Sequence, residues 1–360
     1  MTMNTRFFTT LAFFTFCSGL NPATGGDQNK AETIVKPITA WRLIVEGNRS
    51  GLLFTDSVTE GSQSQYGWVL TPLVTQGEQR IPGRPHLVLP ARRYVVVPSP
   101  TDALRLANGD WAIVGEFHGG GTRILQYARL TRDIFTPPAR DVLESSPKPE
   151  LIAEARMVLQ PGGLEERALD LCCPRIIEHK GQVHIIASAR YGDHVGAGVT
   201  WIAEARVDNR AVHAQLIAEG VDPRIVRYGN GFVFAVRELK RHQTLRDAGP
   251  VRLYHTSDLQ QWSLIDQTND APVLYNYDLL SAGGRLWLAG VIVEDDEKPA
   301  AHLYSFDFGG RAWAPLGAEV EVPSRRSLVQ LLPPTGDSPE PSVAFASSLG
   351  ISVRQPASRP

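Results

Sequence analysis

The chain has 360 residues, 42% of them hydrophobic, with 36 basic and 38 acidic side chains and a formal charge of −2. That length supports a large buried core and, by size alone, one or two domains. The balanced charge, with no basic run beyond a pair, leaves no electrostatic footprint for nucleic acid or for an anionic membrane surface.

In chain order, the first element is unlike everything after it. Arg6 supplies one positive charge before an apolar run from Phe7 to Cys17, and small, turn-forming residues follow from Ser18 to Gly26. The run is shorter than the roughly 20 residues a bilayer requires, so residues 1–26 read as a secretory signal and linker rather than a membrane span. Phe16 is too bulky for the small residue that precedes a lipidated cysteine. The expectation is a secreted or periplasmic monomer.

Beyond it, one phrase recurs at Asp102–Glu116, Pro174–Ser188, Asp222–Val236 and Asp278–Gly290: a short strand, a glycine-bearing tight turn, a second apolar strand. The turns Ala107-Asn108-Gly109, Lys180-Gly181, Gly229-Asn230-Gly231 and Gly283-Gly284 supply the positive φ that short hairpins need. The flanking runs are almost continuously apolar, as strands buried on both faces are. Third strands follow at Arg123–Leu130, Thr200–Val207, Val251–Asp258 and Ala301–Phe308, and weaker fourth strands at Val212–Ala218, Trp262–Gln267 and Trp313–Gly317. Each third strand ends in a turn with an aspartate, at 133, 208, 258 and 307, in steps of 75, 50 and 49 residues.

A period near 50 with four strands per unit predicts an all-β fold, a β-propeller of four-stranded antiparallel blades. The count is six, with five as the alternative, because the stretch from Pro137 to Asp170 is hard to apportion. A last unit starts near Ser324 and lacks a fourth strand, which the segment Thr33–Val45 supplies. Residues 45–100 form one irregular blade. The segment Glu150–Gln160 has helical character. Residues 27–354 make a single domain, and 355–360 a disordered tail.

The turns between third and fourth strands carry a family resemblance. Ser305-Phe-Asp307-Phe-Gly309-Gly310-Arg-Ala-Trp313 resembles the Asp-box hairpin of sialidase-type propellers, with one inserted residue and an alanine in place of threonine. Ser257-Asp258-Leu259 followed by Trp262 is similar to the shorter version found in five-bladed glycosidases. The resemblance implies that Asp258 and Asp307 are structural: a short carboxylate bonds amides of its own turn while the tryptophan packs between sheets. It also implies a carbohydrate or glycoconjugate ligand at the opposite face.

That face collects the starts of first strands and the loops between second and third strands. Asp102, Asp222 and Asp278 are the acid/base candidates there, with Asp222-Pro223 similar to the Asp-Pro start of inner strands in five-bladed glycosidases. Arg190, Arg237 and Arg325 are candidates to orient an anionic or hydroxylated substrate, and Glu116, Glu238, Cys172 and Cys173 to contact it. Glycoside chemistry needs one carboxyl to protonate the leaving oxygen and another to support a nucleophile or water, about 5–9.5 Å away. The plainer reading is that strand-start aspartates cap loops and rim arginines neutralise them. Cys172 and Cys173 are either two buried thiols or a strained disulfide between neighbours. Gln79-Arg80-Ile81-Pro82 resembles the Arg-Ile-Pro element that opens a sialidase's first blade, and Tyr275 or Tyr277 stands where a tyrosine nucleophile would.

No zinc-protease, phosphate-loop or dinucleotide pattern occurs, and no cofactor is expected. The acidic run Glu294–Glu297 could hold calcium but reads more simply as a solvated charge run. The functional expectation is an exported carbohydrate-active protein, a glycoside hydrolase working at the channel mouth. The alternative is a non-catalytic propeller that binds a glycan or a protein.

Overall fold

The computed structural model describes residues 32–34, 41–60, 63–76, 79–91, 99–119, 122–145, 150–153, 156–160, 165–191, 199–204, 213–240, 243, 247–266, 271–292, 298–325, 327–334, 340–347 and 350–354. The expected signal, tail and calcium loop lie outside the described residues. The chain from Ala31 onward forms one compact unit, and no helix of the described residues is long and apolar enough to cross a membrane.

The strands hydrogen-bond into six small sheets. Their innermost strands are, in chain order, Trp41–Glu46, Ser99–Arg105, Glu165–His179, Val221–Tyr228, Tyr277–Ala282 and Val329–Leu332. Polar contacts near their starts join each blade to the next. Arg42 Nε lies 3.2 Å from Asp102 Oδ1, and Ile176 N donates to Asp102 Oδ2 at 2.9 Å. Asp222 N donates to Ser188 Oγ at 2.8 Å, and Arg224 Nε to the Tyr277 carbonyl at 3.1 Å. Leu331 N donates to Asp278 Oδ2 at 2.9 Å, and Leu43 N to Gln330 Oε1 at 2.6 Å. The last bond ties the sixth blade to the first, so the six sheets close into a propeller. Glu32–Ile34 pairs with Gly350–Arg354, so an amino-terminal strand completes the last blade.

The apolar continuity of the second strands follows from this packing. Successive residues of a strand point to opposite faces, and here each face meets a different neighbouring blade. Leu286 and Leu288 pack against the fourth blade with Val233, Ala235 and Leu253. Trp287, Ala289 and Val291 pack against the sixth with Val329, Leu331 and Phe345. Gly231–Arg237 is buried along its whole length for the same reason.

Two expectations need correction. Glu150–Ala153 and Arg156–Gln160 are strands, not helix. Arg156–Gln160 pairs with the start of Glu165–His179 and, in parallel, with His213–Glu219, closing the third sheet on itself. A ladder on an otherwise open edge outweighs a helix preference worth tenths of a kcal/mol per residue. Gln79–Pro82 pairs with Leu73–Gln76 on the outer side of the first blade, so it does not open that blade as the Arg-Ile-Pro resemblance implied. The first blade begins instead at Trp41, and its strand His86–Pro90 pairs with Gly67–Leu70. The only helix among the described residues, Arg140–Glu144, has no buried residue.

On the face away from the strand starts, Asp258 Oδ1 accepts from Gln260 N at 2.8 Å and Gln261 N at 3.0 Å. Asp307 accepts from Gly309 N at 2.9 Å and Gly310 N at 3.1 Å. Trp262 packs edge-on to Phe234, and Trp313 to Phe306. Both aspartates are therefore turn-forming groups.

One carboxyl in the core carries a pH prediction. Asp266 is fully buried; Oδ1 accepts from Leu253 N at 3.2 Å, while Oδ2 has no hydrogen-bond partner and lies 3.8 Å from Arg252 Nη1. Burial pushes its pKa up. A folded-state pKa above the unfolded value of about 3.9 gives stability that is present below that value and lost as pH rises through the folded pKa. Asp266→Asn, which keeps an acceptor for Leu253 N, is expected to raise the urea midpoint at pH 7 and to change it little at pH 3.5. Destabilisation at pH 7 that fades at pH 3.5 would show instead that the charge is favourable where it sits.

Candidate functional site

Two inner strands begin alike, with Cys173-Pro174-Arg175 and Asp222-Pro223-Arg224. Proline has no N–H to give the ladder, and pairing with the second strand shifts register between Cys172 and Arg175 and between Val221 and Arg224. The residue before each proline is left-handed, with φ of 59° at Cys173 and 58° at Asp222. Such backbone costs about 1–3 kcal/mol for a residue with a side chain and persists only where its surroundings hold it. The bulge lets both arginines reach the neighbouring blade. Arg175 Nη1 donates to the Thr101 carbonyl at 2.8 Å and to that of Pro174 at 3.0 Å. Arg224 bonds the Asp222 carboxylate, the Pro223 carbonyl at 3.1 Å and the Tyr277 carbonyl.

Side chains from four blades thus form one alternating chain of charge. Asp102 pairs with Arg42. Arg42 Nη1 also lies 3.7 Å from Asp278 Oδ1, which is 3.4 Å from Arg224 Nε, and Arg224 pairs with Asp222. All three aspartates are at most 8% exposed. Asp102 and Asp278 each use one oxygen for an arginine and the other for a backbone N–H of the next blade. Asp222 differs: Oδ1 meets Arg224, while Oδ2 accepts from no donor among the described residues.

The electrostatics separate the members. Burial opposes the charged form of Asp222, but Arg224, Arg237 and Arg175 more than offset it and hold the carboxyl below its ordinary range. Burial would likewise lower the Arg224 pKa, and Asp222 with Asp278 holds it above its usual value. Arg175 differs from Arg224. Burial, then the nearby Arg224 and Arg42, bring its pKa down to about 10, and no carboxylate among the described residues lies within ion-pair distance of it. It stays charged at neutral pH.

Of the expected site residues, the structure brings Asp102, Asp222 and Asp278 together. Glu116 and the cysteines stand beside them: Glu116 Oε2 accepts from Cys173 N at 2.7 Å, and the two sulfurs are 3.2 Å apart. Arg237 is only 1% exposed, its Nη1 bonds the carbonyls of Asp247 and Tyr275, and its charge acts on Asp222. Glu238 pairs with Arg252 at 3.3 Å. Arg325 is exposed, with its guanidinium 5.7 Å from the centre of the Tyr275 ring. The Arg190 side chain lies outside the described residues. Tyr277 is no nucleophile: it is fully buried, its phenol donates to the Asp222 and Ala235 carbonyls, and burial, then Asp222, drives its pKa up.

Arg42, Arg175 and Arg224 escaped the sequence reading. The signal for two of them was present, because Pro-Arg-Ile recurs at 174–176 and 223–225. Arg42 has no such repeat around it.

No known protein family matches the chain, and no characterised sequence does. Among solved structures, an α-L-arabinanase from Penicillium chrysogenum complexed with arabinobiose is similar with a TM-score of 0.54 and 9% identity, over 90% of this chain and 98% of its own. An exo-1,5-α-L-arabinanase from a bovine ruminal metagenomic library gives 0.44 at 12% identity, over 80% and 98%. Trypanosoma rangeli sialidase in complex with sialic acid gives 0.45 at 12%, over 86% of this chain and 55% of its own. At such identities the likeness is one of fold. The chain shares its β-propeller fold with the Penicillium chrysogenum arabinanase, and an Asp–Arg cluster lies near the starts of its inner strands.

Proposed function

We propose that this protein is an exported carbohydrate-active propeller, a glycoside hydrolase whose working carboxylate is Asp222. The observation that carries the reading is Asp222 Oδ2, which accepts from no donor among the described residues, on an ionised carboxylate whose backbone is left-handed. Held below the usual carboxylate range, Asp222 suits the anionic partner of an oxocarbenium-like transition state: nucleophile, base toward water, or electrostatic stabiliser. Arg175 offers a positive charge to a hydroxyl or an acidic group of the sugar, while Asp102 and Asp278 latch blades and position the arginines.

One observation favours a second reading, a propeller that binds a glycan without cleaving it. Two of the three aspartates have both oxygens engaged by an arginine and a backbone N–H, and Asp222 is held below the ordinary carboxylate range rather than kept protonated as a general acid must be. A panel of chromogenic aryl glycosides separates the two. Hydrolysis is expected with the wild type, and Asp222→Asn should lower kcat by on the order of 10²–10⁴-fold while sugar binding measured by calorimetry persists. Binding without turnover selects the second reading; no turnover and no binding across a glycan array would sink both. Amino-terminal sequencing of material recovered outside the cell, beginning beyond Gly26, checks the export.

A further inference from the structure

We infer that Cys172 and Cys173 form a redox-active dithiol beside Glu116 and the Asp–Arg cluster, which a low-molecular-weight disulfide converts reversibly to a bond between neighbouring residues. This holds whatever the protein binds. Both thiols are free and their sulfurs are 3.2 Å apart, so closure to a bond of about 2.05 Å needs an approach of about 1.2 Å. The scaffold supplies the geometry. Cys173 occupies in the third blade the position Asp222 occupies in the fourth, with the same left-handed turn before proline, and Glu116 pins its N–H. The unusual backbone therefore exists with or without sulfur.

Burial orders the chemistry. Cys172 is 3% exposed while Cys173 is half-buried. The Cys173 thiolate attacks one sulfur of the small disulfide and expels a thiolate, which takes up the proton Cys173 lost. Cys172 then gives up its proton and attacks the Cys173 sulfur, expelling the second small thiol. Two protein thiols are oxidised, one disulfide is reduced to two thiols, and both protons end on those products. Adjacent α-carbons, about 3.8 Å apart, fall short of the usual disulfide span of about 4.4–6.8 Å, so the ring is strained. Strained disulfides have more oxidising potentials and behave as labile ones. The Cys172 thiol, burial, and the charges of Asp222 and Glu116 all raise the Cys173 pKa, which makes exchange slow at neutral pH and faster as pH rises.

The test exposes reduced protein to glutathione redox buffers at pH 7 and 8, traps free thiols by alkylation, and weighs the peptide spanning both cysteines. Expected are loss of two hydrogens in proportion to the oxidising ratio, full reversal by dithiothreitol, and closure roughly tenfold faster at pH 8. Phenylarsine oxide, a reagent for paired thiols, should block it. Cys172→Ser should stop at a glutathione adduct on Cys173, and Glu116→Gln should speed wild-type closure at pH 7, with circular dichroism confirming the fold of each. Two stable glutathione adducts on the wild type, or thiols that react only after denaturation, would overturn the inference without touching the carbohydrate reading.

Discussion

Arg224→Met is expected to cost about 3–5 kcal/mol of unfolding free energy, the range for removing one partner of a buried ion pair. Methionine keeps most of the stem and removes the charge. The Asp222 carboxylate then loses the one side chain among the described residues that hydrogen-bonds it, Asp278 loses one of two arginines, and the Tyr277 carbonyl loses a donor. Urea unfolding at pH 7 reads the loss. Adding Asp222→Asn should recover part of it, because the uncompensated charge goes with the arginine; a double-mutant cycle should give a coupling on the order of 1–3 kcal/mol. The acid limb gives an independent check. A folded-state pKa below the unfolded value of about 3.9 gives stability that is present above that value and lost as pH falls through the folded pKa. Without Arg224 the folded pKa of Asp222 rises, so acid unfolding should begin at higher pH. An unchanged urea midpoint together with an unchanged acid limb would show that the two groups are not coupled.

The second large effect concerns Asp278, an acid/base candidate by sequence that the structure uses as a latch. Its Oδ2 holds Leu331 N of the next blade at 2.9 Å, and its Oδ1 faces Arg224 and Arg42. Asp278→Ala orphans a buried N–H, at about 1–3 kcal/mol, and leaves two cations less compensated, for a total of about 3–5 kcal/mol. Asp278→Asn keeps an acceptor for Leu331 N and should lose less than half as much. Hydrogen exchange at the Leu331 amide separates the terms: faster in the alanine variant, close to wild type in the asparagine variant. Equal losses in both would assign the whole effect to charge. Failure of Asp278→Ala to turn over substrate would consequently report a loosened ring, whereas the same failure in Asp222→Asn would report chemistry where its urea midpoint stays near that of the wild type.

Much of the architecture was readable because its signals are local. Hairpin turns such as Lys180-Gly181 and Gly283-Gly284 sit at positive φ, a requirement of the turn alone. The period of the second strands follows from burial on both faces, which only continuous apolarity satisfies. Glu150–Gln160 misled for the converse reason: its composition favours a helix, and a distant strand, His213–Glu219, claimed half of it through a parallel ladder. Arg237 misled because a charged residue at a loop reads as a solvent-facing group, while its burial depends on carbonyls 10 and 38 residues away.

The hairpin repeats, the turn aspartates 258 and 307 and the set of strand-start acids were thus legible in the chain, since each depends on neighbours a few residues off. Which of those acids is free was not. Asp102, Asp222 and Asp278 look alike at their strand starts, and they are told apart by donors 74, 2 and 53 residues away. Closure of the ring sets those distances, and with them which carboxylate has an oxygen that accepts from no donor among the described residues.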